Sequence, residues 1–279
     1  MLHDLDGKTA FVTGGASGIG LAMGRAFAEA GMRVMLADIE PKPLQQALEA
    51  LQANLPEVRG VLCDVHDYDA VERAAHMTVK AFGKVHVVCN NAGVSGAAGA
   101  DNISLQDWRW VIDINLMGVV HGVKAFVPLL KTHGEGGHIV NTASMAGFLS
   151  GTGFGAYTAS KFAVVGISEA LATELEPHGI GVSILCPGWV VTCISESRRN
   201  WPKEYGAPPP KGPLSEQFAE LIRNGMAPSD VAELVLKGIK DNELYIFTHP
   251  EMRPWLEKRV DRCLVAYRKL GPAPQEIMG

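Results

Sequence analysis

The strongest constraint on this chain is a rhythm. Short unbroken apolar runs alternate with longer stretches of helical pattern from the first residues to about residue 190. The runs are 8–13, 33–37, 58–63, 85–89, 138–142 and 180–186. Helical patterning covers 18–30 (closed by Gly31), 41–54, 68–82, 105–130 and 156–177. A strand that is apolar on both faces needs helices over both faces, which is the situation of a buried parallel sheet. Strand–helix repetition with right-handed crossovers then implies a doubly wound α/β domain. One such domain is expected to span residues 1–279.

The rhythm breaks after Gly188. Residues 190–227 carry Pro202, Pro208, Pro209, Pro210 and Pro213 with apolar residues between them, so a lid or binding loop is expected there. A helix at 230–240 and a strand at 244–247 follow, then a helical extension, 250–279. That tail sets Leu256, Val260, Leu264 and Tyr267 on one stripe among basic residues, a pattern that suits docking on the protein's own body or a partner subunit. A membrane surface is the rarer alternative.

Composition narrows the function classes. With 47% hydrophobic and 20% charged residues among 279, the chain can build a full core unaided by disulfides or metal. Net charge is −5 with no long basic run in the first 250 residues, so no nucleic-acid footprint is visible. The five cysteines include no C-x-x-C pair, which suggests neither a zinc site nor a disulfide framework, and the histidines show no ligand spacing. No metal is expected. The first residues lack a long apolar segment, and no stretch reads as a membrane span. A reducing, cytoplasmic setting is expected.

Between the first apolar run and the first helix lies Thr13-Gly14-Gly15-Ala16-Ser17-Gly18-Ile19-Gly20. Glycines let the backbone approach a bulky anion, and the following helix N-terminus offers free N–H groups to phosphate. The spacing is neither G-x-G-x-x-G nor a Walker loop. Asp38 closes the second run. An acidic residue there suits the hydroxyls of an adenosine ribose and repels a 2′-phosphate, although a helix cap would also account for it. No basic residue stands at Ser17 or beside Asp38 in sequence, so NAD is preferred over NADP, with NADP left open.

Tyr157 and Lys161 are four apart and share a helix face. A phenol is a poor base at neutral pH, since its pKa is about 10. An ammonium about 4 Å away at an effective dielectric of about 20 favours the phenolate by roughly 4 kcal/mol. That is up to about 3 pKa units before desolvation opposes it. Ser144, just past the run 138–142, is placed to hydrogen-bond a substrate oxygen.

Together, Thr13–Gly20, Asn90-Asn91-Ala92-Gly93, Asn115, Ser144, Tyr157-x-x-x-Lys161 and Pro187-Gly188 resemble the short-chain dehydrogenase/reductase family, in order and spacing from about residue 5 to 192. The resemblance implies a Rossmann-type domain that moves hydride between a nicotinamide and an alcohol or ketone. It implies Tyr157 as acid/base, Lys161 tuning it and holding a ribose, Ser144 polarising the substrate, and Asn115 anchoring a proton-relay water. It implies cofactor contacts from Gly14, Ser17, Gly18, Ile19, Gly20, Asp38, Asp64, Val65, Asn91, Ala92, Gly93, Pro187, Gly188, Val190 and Thr192. A homo-oligomer, dimer or tetramer, is the family habit.

Met145, Phe148, Phe154, Trp189 and Ile194, with Leu149 and Trp201 nearby, are candidate walls for a hydrophobic or aromatic secondary alcohol or ketone. Core or lid packing explains each of them equally well. Arg198 and Arg199 are candidate partners for a substrate carboxylate or a solvated face. The ending Glu243–Met252, with the long insertion, is similar to the subgroup of dehydrogenases of lignin-derived aryl alcohols. Two further readings stay open: an NADPH-dependent carbonyl reductase, and a catalytically silent dinucleotide-binding sensor.

Overall fold

A computed structural model describes Leu2 and residues 4–95, 103–208 and 215–271. Its chain alternates β1 (Thr9–Thr13), α1 (Gly18–Glu29), β2 (Arg33–Asp38), α2 (Pro41–Gln52), β3 (Val58–Leu62), α3 (Tyr68–Phe82) and β4 (Val87–Asn90). The series continues with α4 (Leu105–Ile112), α5 (Gly118–His133), β5 (Gly137–Thr142), α6 (Gly155–Leu175) and β6 (Ile180–Cys186). It ends with α7 (Ser215–Arg223), α8 (Pro228–Asp241), β7 (Tyr245–Phe247) and α9 (Arg253–Arg268). All strand pairs are parallel, in the order β3-β2-β1-β4-β5-β6-β7. The doubly wound expectation therefore holds.

Alternation along each strand divides the core into two layers. Val12 and Leu36 face α1 and α8, packing with Phe27, Val235 and Ile239. Their neighbours Phe11 and Met35 face the other way, with Phe126, Leu130, Leu171 and Leu175 of α5 and α6. Each such side chain, fully buried, contributes roughly 1.5–3 kcal/mol. Helix α3 starts where Asp67 Oδ1 accepts from the Asp69 amide at 3.0 Å and stops at Gly83, whose φ is +85°.

The run expected as one helix, 105–130, reaches His133 and is interrupted. A π-helical turn, Asp113–Met117, separates α4 from α5. By length and composition alone Leu105–His133 is long and apolar enough to cross a membrane, a test that a core helix passes equally. Within this fold it packs on α3 and α6 as a core element. The insertion holds two 3₁₀ segments, Ile194–Asn200 and Lys203–Tyr205, and α7, while Pro209, Pro210 and Pro213 lie outside the described residues.

Two compact units result, Met1–Thr248 with the whole sheet and His249–Gly279. In the second, α9 buries no residue, and Val260, Leu264 and Tyr267 of its stripe are exposed. Residues 272–279 of the expected extension lie outside the described residues.

At the N-terminal ends of the strands, His86, His133 and Glu135 are close enough to suggest a metal cluster. Their atoms are spent on protein partners. His86 Nδ1 accepts from the Thr9 amide and its Nε2 meets Glu135, His133 pairs with Val85 O and the Glu135 amide, and Glu135 also meets Lys8 and Lys84.

His138 on β5 is fully buried, and burial pushes its pKa down to about 3. It is neutral in the fold, with Nε2 against Ser183 Oγ at 2.8 Å. Ser183 donates to Glu243 O, so His138 Nε2 carries the proton. The unfolded chain binds a proton below about pH 6.5 that the folded chain refuses until about pH 3. Stability is therefore complete above that range and falls with acid, by up to about 1.4 kcal/mol per pH unit. Urea titrations between pH 7.5 and 5 should show that slope, and His138→Asn should flatten it.

Candidate active site

Strands β1 and β4 are neighbours whose outgoing connections run to opposite sides, which opens a crevice at their C-terminal ends. The first Gly-rich turn lines it. The amides of Asn91 and Ala92 donate to Thr13 Oγ1 at 2.9 and 3.0 Å, and Asn91 Nδ2 donates to Thr13 O at 3.0 Å. Thr142 Oγ1 donates to Asn91 Oδ1 at 3.2 Å, and Lys161 Nζ donates to Thr142 O at 2.7 Å.

The turn fits a dinucleotide phosphate. A Cβ on Gly20 would sit 2.1 Å from Gly14 O, and one on Gly18, where φ is +53°, would sit 2.9 Å from Thr192 Cγ2. Ser17 occupies the N-cap of α1 without capping it, so the amides of Gly18, Ile19 and Gly20 have no intrahelical acceptor. Asp38 accepts from the Ala16 amide (2.9 Å) and the Glu40 amide (3.0 Å) and so ties the turn to the end of β2. Burial pushes its carboxyl above the ordinary value while these two bonds oppose the shift. Asp64 accepts from the His66 amide, and Val65 is buried with its carbonyl 2.8 Å from His121 Nδ1.

Asn115 lies on the π-helical turn rather than in a regular helix, fully buried. Its Oδ1 accepts from the Val94 amide at 2.8 Å, while Nδ2 donates to Val94 O (3.0 Å) and Ser160 Oγ (3.2 Å). Ser160 Oγ donates to Tyr157 O at 2.6 Å. The side-chain amide thus braces the α6 turn that carries Tyr157. A Cβ on Gly93 would meet both Asn115 Oδ1 (3.3 Å) and Lys161 Nζ (3.7 Å), which places Gly93 between them.

Ser144 caps the turn Met145–Gly147 by accepting from the Ala146 amide, and donates to Pro187 O at 3.3 Å. The Met145 amide donates to the same carbonyl. The neighbouring Ser144 side chain lowers the Tyr157 phenol's pKa, but burial is the larger influence and pushes it up. Burial pushes the Lys161 ammonium down to about 8. Its Nζ is 5.6 Å from the Tyr157 ring centroid.

Three aromatic rings stand in series beside Tyr157. Phe154 is 6.5 Å from it, Phe218 of α7 is 5.3 Å from Phe154, and Trp189 is 5.9 Å from Phe218. Phe148 joins Tyr245 and Phe247 of β7 instead, and Trp201 packs with Trp110 and Tyr205. Met145 is buried, and Val190 sits in the core while bridging Met226.

The segment from Thr192 to Asn200 spans the crevice as a strap. Thr192, whose Oγ1 accepts from the Ile194 amide, touches Gly18. Ser197 Oγ accepts from the Ser95 amide (3.0 Å). Arg198 pairs with buried Asp107 (3.1 Å), and Arg199 pairs with Glu40. Neither arginine is poised for a substrate carboxylate, because tertiary partners hold both. Sequence reasoning missed Thr142, Ser160, Glu40 and Phe218. Only Phe218, an aromatic within the Pro-rich insertion, left a signal to follow.

A doubly wound sheet with a Gly-rich turn at its switch point, and with half-buried Ser144 and Tyr157 next to buried Lys161, is the arrangement expected of a nicotinamide-dinucleotide oxidoreductase. Comparison agrees: the short chain dehydrogenase signature matches residues 8–203, and the chain belongs to that family. It is 34% identical to C alpha-dehydrogenase of Sphingobium sp. (98% of this chain, 91% of that one). It is also 34% identical to 1-deoxy-11-beta-hydroxypentalenate dehydrogenase of Streptomyces exfoliatus (98% and 94%). A short chain dehydrogenase/reductase from Burkholderia phymatum, solved in complex with NAD, superimposes with a TM-score of 0.91 at 38% identity (94% and 96%). The protein is an oxidoreductase acting on CH–OH groups of small molecules.

Replacing Asn115 by Leu strands the Val94 amide and carbonyl. Each buried group left unpaired costs roughly 1–3 kcal/mol. Denaturant unfolding of Asn115→Leu should show a loss of at least that size.

Proposed function

We propose that this protein oxidises hydrophobic secondary alcohols, or reduces the matching ketones, with NAD(H) as its dinucleotide. Tyr157, with Ser144 beside it and buried Lys161 5.6 Å from its ring centroid, carries this reading. The Gly-rich turn, Asp38, Asp64, Val65, Asn91 to Gly93 and the Pro187–Thr192 segment would hold the dinucleotide, with 190–227 acting as the lid. When bound in its oxidised form, it supplies the hydride acceptor and a positive charge.

Ser144 holds the substrate oxygen, and Tyr157 takes the hydroxyl proton as hydride leaves the carbinol carbon. In reduction Tyr157 returns that proton to the nascent alkoxide. Lys161 stabilises the phenolate, since opposite charge favours the ionised form and burial alone opposes it. Asn115 positions this machinery through Ser160 and supports the relay that refills Tyr157. Phe154, Trp189, Met145 and Ile194 line the apolar side, which Phe218 completes.

Asp38 supports NAD over NADP by offering a carboxylate at the end of β2. Five unpaired cysteines agree with a reducing, cytoplasmic setting. A homo-oligomer is the assembly we expect, and exposed Tyr245 and Phe247 on edge strand β7 offer it apolar surface.

Screening secondary alcohols with NAD by nicotinamide absorbance tests the reading directly. Tyr157→Phe should lose about 10²–10⁴-fold in turnover while still binding the dinucleotide. Unchanged turnover would remove Tyr157 from the chemistry and leave a silent dinucleotide sensor as the better description. Asp38→Ala should narrow the ratio of NADP to NAD dissociation constants. An unchanged ratio would show that Asp38 does not select.

A further inference from the structure

No basic residue neighbours Asp38 in sequence, but the fold brings one there. Arg199, at the far end of the strap, reaches across to Glu40, two residues beyond Asp38. Its Nε lies 3.0 and 3.1 Å from the two Glu40 carboxylate oxygens, and its Nη2 lies 2.7 Å from one of them. Nη1 donates to Cys193 O at 3.1 Å, so all three guanidinium nitrogens are engaged. Arg199 and Asn200 together hold the Glu40 carboxyl below its ordinary range, and the charges of both Glu40 and Asp38 act on Arg199. Glu40 and Arg199 are 20% and 36% exposed, so the pair is within reach of a ligand entering the crevice.

We propose that Glu40 is a cofactor-selecting residue, which holds Arg199 in a bidentate pair and so withholds the guanidinium from a ribose 2′-phosphate at the end of β2. The proposal rests on the reading above that the adenosine ribose lies at Asp38. An arginine fork matches phosphate as well as carboxylate, and in dinucleotide folds an arginine near this position is what accommodates a 2′-phosphate. Glu40 opposes that phosphate twice, through its own charge and by occupying the fork. Asp38 is held separately by the Ala16 and Glu40 amides, so neutralising the Glu40 side chain leaves both of those backbone bonds available.

The test is a double-mutant cycle read by binding rather than by turnover. Dissociation constants for NAD and NADP are measured calorimetrically on the wild type, Glu40→Gln, Arg199→Gln and the double variant, with 2′,5′-ADP as a probe of the phosphorylated ribose alone. Using the ratio of the two constants cancels any general loosening of the strap. Glu40→Gln should lower the NADP/NAD ratio and tighten 2′,5′-ADP by at least about tenfold, a change readily resolved in binding free energy. Arg199→Gln alone should leave the ratio at or above the wild-type value, and the double variant should lose the gain. A Glu40→Gln ratio indistinguishable from wild type, or the same gain in the double variant, would overturn the proposal. Wild type that binds NADP as tightly as NAD would overturn the NAD preference as well, which separates the two failures.

Discussion

A line of hydrogen bonds crosses the C-terminal ends of three adjacent strands, from Thr13 on β1 through Asn91 after β4 to Thr142 on β5, and ends on Lys161 of α6. Parallel neighbours are joined only through long crossovers, so nothing local fixes how their ends meet. At those ends the ladder stops and backbone groups need new partners. Thr13 Oγ1 satisfies two amides, the Asn91 side chain accepts and donates, and Lys161 takes the last carbonyl. The Gly-rich turn and the Lys161 ammonium are therefore parts of one network.

The second anchor is Asn115. A π-helical turn interrupts the regular ladder, and such turns occur often at functional sites. The interruption lets one buried amide serve both the β4 loop and α6. Around it, burial moves the Tyr157 phenol up and the Lys161 ammonium down, which narrows the gap between the two groups while leaving Lys161 charged at neutral pH. A site built in this way responds strongly to any charge that enters it, because screening inside is weak.

Local signals made several elements legible. Helix α3 falls at 68–82 because Asp67 caps its start and Gly83 ends it, and β6 falls at 180–186 because the run is unbroken and bounded by Gly179 and Pro187. The break inside 105–133 was not legible, since no Gly or Pro marks residues 113–117 and the turn answers to partners far away in the chain. The same holds for Arg198 and Arg199. Their partners, Asp107 and Glu40, are 91 and 159 residues distant, and composition treats such arginines as free. Phe148 and Phe154 looked equivalent in sequence, yet they entered different aromatic clusters because the turn after Ser144 sends the first toward β7.

What the sequence determined by itself was the doubly wound fold, the Gly-rich turn at the head of α1 and the placing of Tyr157 and Lys161 on one helix face. Each of these depends on neighbours within a few positions, through periodicity, backbone freedom or helix spacing. Only the tertiary structure decided which of these groups meet. It joined Thr13 to Lys161, set Asn115 on a π-helical turn, added Phe218 to the aromatic row and closed Arg199 onto Glu40. Those choices depend on how crossovers and the insertion pack against the sheet, and no short stretch of chain contains that information.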